Sequence, residues 1–101
     1  MKKYTMYIGL NDKDSHAQEI TTLDAYKVVT NLLLPVGGAT ITEGRGLYTH
    51  DNGTVVVENT LVCVVFGGDK EVIVDAVQQI KQALNQESIA VEETETNSTF
   101  I

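Results

Sequence analysis

Residues 39–66 leave this chain few folds to choose from. They read as two long strands, over 39–48 and 54–66, joined by a short polar turn ending in Asn52 and Gly53. That pair predicts a type I′ hairpin, because such a turn takes positive φ at both central residues and Asn and Gly tolerate it. The return strand finishes with Leu61, Cys63 and Val65 on one side and Val62, Val64 and Phe66 on the other. A run that is apolar on both faces predicts a strand central in its sheet and covered on both sides.

The remaining elements fall into place around this ribbon. Over residues 3–9, Tyr4, Met6 and Ile8 alternate with Thr5 and Tyr7, which predicts a first strand. Residues 11–18 are polar and form a loop that is long for its position, either a functional loop or a solvated connector. A helix follows, capped by Thr21 or Thr22, with Asp24 in its first turn and Ala25, Val28, Val29, Leu32 and Leu33 as its buried stripe. Pro35 ends it, and Gly37 and Gly38 turn the chain into the hairpin.

Asp69 caps a second helix whose stripe is Ile73, Ala76, Val77, Ile80 and Leu84. A last strand spans 88–95, anchored by Ile89 and Val91, with Glu92, Glu93 and Glu95 suiting an exposed edge. Residues 96–101 are a further strand or a tail. The order βαββαβ predicts an α+β, ferredoxin-like single domain over 1–101. Right-handed crossovers then place both helices on one face of a four-stranded antiparallel sheet, with the first and third strands central.

Composition excludes several classes. The lone cysteine, Cys63, allows no internal disulfide and reads as an inert buried thiol. No apolar run is long enough to cross a membrane, and the N-terminal residues lack the apolar segment of a secretion signal, so a cytoplasmic location is the default. The net charge of −7 comes from the second half, where only Lys70 and Lys81 face nine acidic residues. Nucleic-acid binding wants clustered Lys and Arg, so none is expected; acidity of this kind serves solubility or mimicry of a polyanion.

Two helices shield one sheet face, yet the third strand is apolar on both. The uncovered face therefore predicts self-association through Val62, Val64 and Phe66, as a homodimer or a trimer. The alternative cover is the chain's own tail or its long loop.

No catalytic motif, metal-ligand set or cofactor fingerprint is present, so no catalytic residue, metal or cofactor is assigned. His16 and His50 are the only histidines and both fall in loops; His50 beside Asp51 is a base, a metal ligand together with Asp51 and Glu43, or a solvated side chain. The candidate ligand-binding set is Glu43, Arg45, Tyr48 and His50. Arg45 offers a planar fork to a small anionic ligand, Gly44 and Gly46 allow a bulge or close backbone approach, and Tyr48 can stack. A plain Glu43–Arg45 surface pair is the competing account. Gly67 and Gly68 before Asp69 read as a helix cap rather than an anion site.

The segment Ala39, Thr40, Ile41, Thr42, Glu43, Gly44, Arg45, Gly46, following a strand–helix unit, resembles the PII-like signalling proteins. That resemblance implies a nucleotide-binding loop between subunits of a trimer. The whole chain, from Tyr7 and Ile8 through Glu43 and Tyr48 to Gln86 and Ile89, also resembles a family of small uncharacterised bacterial and phage-associated proteins, which implies no activity. Three functions are carried forward: a non-enzymatic ligand-binding or regulatory module acting as a homo-oligomer, a phage-associated protein that binds or inhibits a host protein, and a small enzyme of the dimeric ferredoxin-like-barrel type, a monooxygenase or isomerase.

Overall fold

The computed structural model describes residues 1–101. In chain order it contains β1 (Lys2–Gly9), α1 (Thr22–Leu33), β2 (Thr40–Thr49), β3 (Val55–Phe66), α2 (Lys70–Ala83) and β4 (Ala90–Glu95). A short 3₁₀ turn, Leu34–Val36, follows α1 and contains Pro35. The sheet order is β2-β3-β1-β4, antiparallel throughout. This is the ferredoxin-like arrangement, with β1 and β3 central.

Both helices start at side-chain caps. The Thr21 hydroxyl accepts from the Asp24 N–H at 3.1 Å, and the Asp69 carboxylate accepts from the Glu71 N–H at 2.9 Å. Each cap satisfies a donor that the first turn would otherwise leave unpaired. Gly37 ends the 3₁₀ turn in the left-handed region, at φ +98°.

The core lies between the helices and one face of the sheet. Met6, Ile8, Leu61 and Cys63 are fully buried there against Ala25 and Val29 of α1 and Ile73 and Ile80 of α2. At about 25 cal/mol per Å² of apolar surface, each of the larger side chains contributes about 1.5–3 kcal/mol. Burial pushes the Cys63 thiol up to about 11, so it stays protonated and unreactive at neutral pH.

Register fixes what lies opposite the helices. Tyr7 pairs with Val62, Thr5 with Val64 and Lys3 with Phe66, so these residues share the open face. Phe66 is 45% exposed and Tyr7 44%. The prediction that β3 is covered on both sides holds for one side within a single chain.

Residues 96–101 add no strand. The Thr96 N–H donates to the Met1 carbonyl, and Phe100 meets Phe66 edge-on with ring centroids 6.2 Å apart. Phe100 remains 74% exposed, so the tail touches the rim of the open face and does not cover it.

Two local expectations are corrected. The hairpin turn is not type I′: Gly53 has φ +86°, but Asn52 has no positive φ. The Gly53 N–H donates to the His50 carbonyl and the His50 N–H to the Thr54 carbonyl, which describes a three-residue loop with a left-handed glycine. Asn52 instead accepts the Thr54 N–H through its side chain, at 2.9 Å. Nor is there a bulge at Gly44, since β2 and β3 pair without interruption from Thr40↔Val64 to Thr49↔Val55.

Candidate functional site

A cleft of about 420 Å³ opens at the end of the sheet where β1 leaves and β4 begins. The β1–α1 loop supplies Asn11, Asp12, Lys13 and His16, and the turn before β4 supplies Gln86, Glu87 and Ser88. The β2–β3 hairpin completes it with Tyr48, His50, Val56 and Glu58.

Glu58 is the carboxylate built most firmly into this wall. It lies on the open face, opposite Gly46 of β2, and the next residue on that face, Thr60, pairs with Gly9 of β1. A Cβ at Gly9 would overlap the Glu58 carboxylate, and one at Gly46 would fall 3.6 Å from Glu58 Cγ. Gly9 thus makes the room that the carboxylate occupies, while Gly46 only borders its stem. Its Oε2 accepts the Asn11 N–H at 3.0 Å, which ties the loop to the strand.

The loop walls are held by polar stitching to the end of α2. Asp12 accepts the N–H of Asp14 at 2.8 Å and that of Ser15 at 3.1 Å, and the Asn85 side-chain amide at 2.9 Å. The Asn85 amide, with the two N–H groups, holds the Asp12 carboxyl below the usual carboxylate range. Gln86 is 8% exposed and donates to the Asn11 carbonyl at 2.7 Å. The loop over residues 11–18 is therefore anchored rather than a slack connector, and its His16 takes φ +63°. On the hairpin side, the rings of Tyr48 and His50 meet edge-on, 5.3 Å apart.

The sequence-derived set divides in this geometry. Tyr48 and His50 line the cleft; Glu43 and Arg45 do not. Glu43 pairs with Leu61 and Arg45 with Asn59, which puts both on the helix side of the sheet, whereas Tyr48 pairs with Val56 on the open side. Of the two glycines beside Arg45, Gly46 is the close approach: a Cβ there would come within 2.9 Å of Thr60 Oγ1. Gly44 has room for one, with Val62 Cγ2 the nearest atom at 4.0 Å. Val62, Val64 and Phe66 lie on the open face beyond the cleft.

Sequence reasoning missed Glu58, His16 as a partner of His50, and the role of Gln86. Glu58 left one signal: it is the only charge in β3. No group of His, Cys, Asp and Glu side chains is arranged to hold a metal ion. No helix is long and apolar enough to cross a membrane.

Neither a protein-family model nor a curated protein matches the sequence. Solved structures do. A phage SAM lyase in complex with S-methyl-5′-thioadenosine is similar over 93% of this chain and 80% of its own, at 27% identity and a TM-score of 0.66. The divalent cation tolerance protein CutA from Archaeoglobus fulgidus is similar over 99% of this chain and 88% of its own, at 11% identity and a TM-score of 0.64. CutA1 from Pyrococcus horikoshii covers 99% and 87%, at 17% identity and a TM-score of 0.59. The CutA likeness concerns the fold, and that is the fold the PII-like resemblance implies. The phage association of the second resemblance is met by the lyase, not by an uncharacterised family.

Proposed function

We propose that this chain binds S-adenosylmethionine (SAM) in the cleft at the sheet end and cleaves it to S-methyl-5′-thioadenosine. The observation that carries this reading is the likeness to the phage SAM lyase across nearly the whole chain, together with a cleft whose chemistry suits the substrate. A sulfonium is a cation, and the fixed Glu58 carboxylate and the Tyr48 ring are groups that attract one. The amino-acid end of SAM carries a carboxylate, for which Lys13 is the nearest full positive charge in the lining. Arg45 lies on the other side of the sheet and plays no part.

Cleavage between sulfur and the γ-carbon leaves the electron pair on sulfur and turns the cation into a neutral thioether. A lyase adds no water, so the four-carbon fragment satisfies its own γ-carbon, either with its carboxylate oxygen or by losing a β-proton. A firm hold on the sulfonium favours the ground state, so Glu58 serves capture more than the bond-breaking step.

The second element of the reading is self-association through the open face. Tyr7, Val62, Val64 and Phe66 form a row of apolar side chains that the tail leaves uncovered. A second copy of the chain is the cover that supports a homo-oligomer.

Incubation of the purified chain with SAM, followed by chromatography, is expected to yield S-methyl-5′-thioadenosine, and Glu58→Gln is expected to raise KM at least tenfold without lowering kcat. Retention of SAM without turnover would replace the lyase with a regulatory ligand-binding module. Neither binding nor turnover would leave the phage-associated protein-binding reading. Light scattering of wild type against Val64→Glu tests the oligomer: the variant is expected to run as a single chain.

A further inference from the structure

The charged groups of the cleft come from every element that forms it: Asp12, Lys13 and His16 from the β1–α1 loop, His50 from the hairpin, Glu58 from β3 and Glu87 from the turn before β4. With neutral histidines the fixed charges are three acids and one lysine. With both histidines protonated the acids are matched. The two histidines therefore decide whether the cleft is negative or balanced. The fold brings them to one cavity from two separate loops, and neither forms an ion pair or hydrogen bond through its ring. Tyr48 is the only ring stacked near either, and it meets His50 edge-on.

From this charge arrangement we infer that the cleft selects its ligand by charge at sulfur, taking the sulfonium over the neutral thioether, and that His16 and His50 set the pH at which this preference fades. The inference rests on the SAM-binding reading and deepens it. The thioether product has lost the positive charge at sulfur as well as the amino-acid arm. A cleft that is negative at neutral pH holds the first and lets the second go, which makes product release a consequence of the reaction itself. Glu58 supplies the fixed part of the preference, because its carboxylate lies over Gly9 and accepts the Asn11 N–H. The histidines supply the variable part, since an imidazole is neutral in one protonation state and a cation in the other.

Sign follows directly. Lowering the pH adds positive charge to the cleft and weakens a cation's binding. It leaves a neutral sulfur almost untouched. Two added charges about 8 Å from the ligand, in a water-rich cleft, change a cation's affinity by about fivefold at low salt.

Calorimetry of the full chain with two uncleaved probes tests this. Sinefungin carries an ammonium where SAM carries its sulfonium, and S-adenosylhomocysteine carries a neutral sulfur; both keep the same amino-acid end, so its titration cancels in their ratio. From about pH 7 to about pH 5.5 at low salt, the sinefungin preference is expected to fall about fivefold, and by less than about twofold in His16→Gln/His50→Gln. An unchanged preference across that range in the wild type overturns the inference while leaving the binding site standing. Equal affinity for both probes at neutral pH overturns it as well. Failure of either probe to bind at any pH overturns the SAM reading and this inference with it. The wild-type comparison decides the question even if the double variant does not fold.

Discussion

Strand β3 presents nearly the same chemistry to its two sides and meets opposite fates. Leu61, Cys63 and Val65 are at most 2% exposed beneath the helices, whereas Phe66, one residue on, is 45% exposed. Alternation sets which residues share a side. It does not set which side receives the helices; the right-handed crossovers do. The difference teaches that an apolar strand face is a demand for cover, and that one chain meets this demand once.

The comparison breaks most visibly in the core. Leu61→Ala is expected to destabilise by about 2–5 kcal/mol in urea unfolding, through lost burial and a cavity. Val64→Ala, on the open face, is expected to cost less than about 1 kcal/mol in the isolated chain. Equal costs would mean that the second face is already covered by the chain itself.

Glycines sharpen the same contrast at the cleft. Gly9→Ala is expected to cost less than about 1 kcal/mol and to lower SAM affinity, because the new methyl displaces the carboxylate end of the flexible Glu58 side chain. Gly44→Ala, where the nearest atom is 4.0 Å away, is expected to be neutral or stabilising by up to about 1 kcal/mol. Thermal unfolding of the pair measures the difference.

Cys63 gives a readout without mutation. With its thiol pushed up to about 11, it is expected to react with a disulfide reagent in mildly alkaline buffer only as fast as the chain unfolds. Fast stoichiometric labelling of the folded chain would place it outside the core.

The smallest expected effects lie at the surface. The N-terminal ammonium at 2.8 Å, then Lys2 at 3.2 Å, hold the Glu95 carboxyl below its usual range, and Asn85 does the same for Asp12. A depressed carboxyl stabilises the fold above its ordinary range and loses that contribution as pH falls through its folded value. Glu95→Gln is therefore expected to lower the urea midpoint slightly at neutral pH and to match the wild type in acid. Glu95 is exposed, so solvent screening keeps the effect small.

Much of the fold is legible in local pattern. The period-2 runs at Tyr4, Met6, Ile8 and at Leu61, Cys63, Val65, the helical stripes through Val29 and Ile80, and the caps Thr21 and Asp69 all act within a few residues of themselves. The turn type escapes such a reading because Asn52 uses its side chain as an acceptor instead of adopting positive φ. The cleft is only half legible. Tyr48 and His50 stand out as candidates, but in company with Glu43 and Arg45, which the same alternation sends to the other side of the sheet.

The sequence by itself determined the order of elements, their buried stripes and the shortage of helices for a sheet with two apolar faces, because periodicity and capping are local physics. Only the tertiary structure decided that His16, Tyr48, Glu58 and Gln86 share one cavity, because strand register and the packing of loop against helix end bring together residues that nothing in their own neighbourhoods connects.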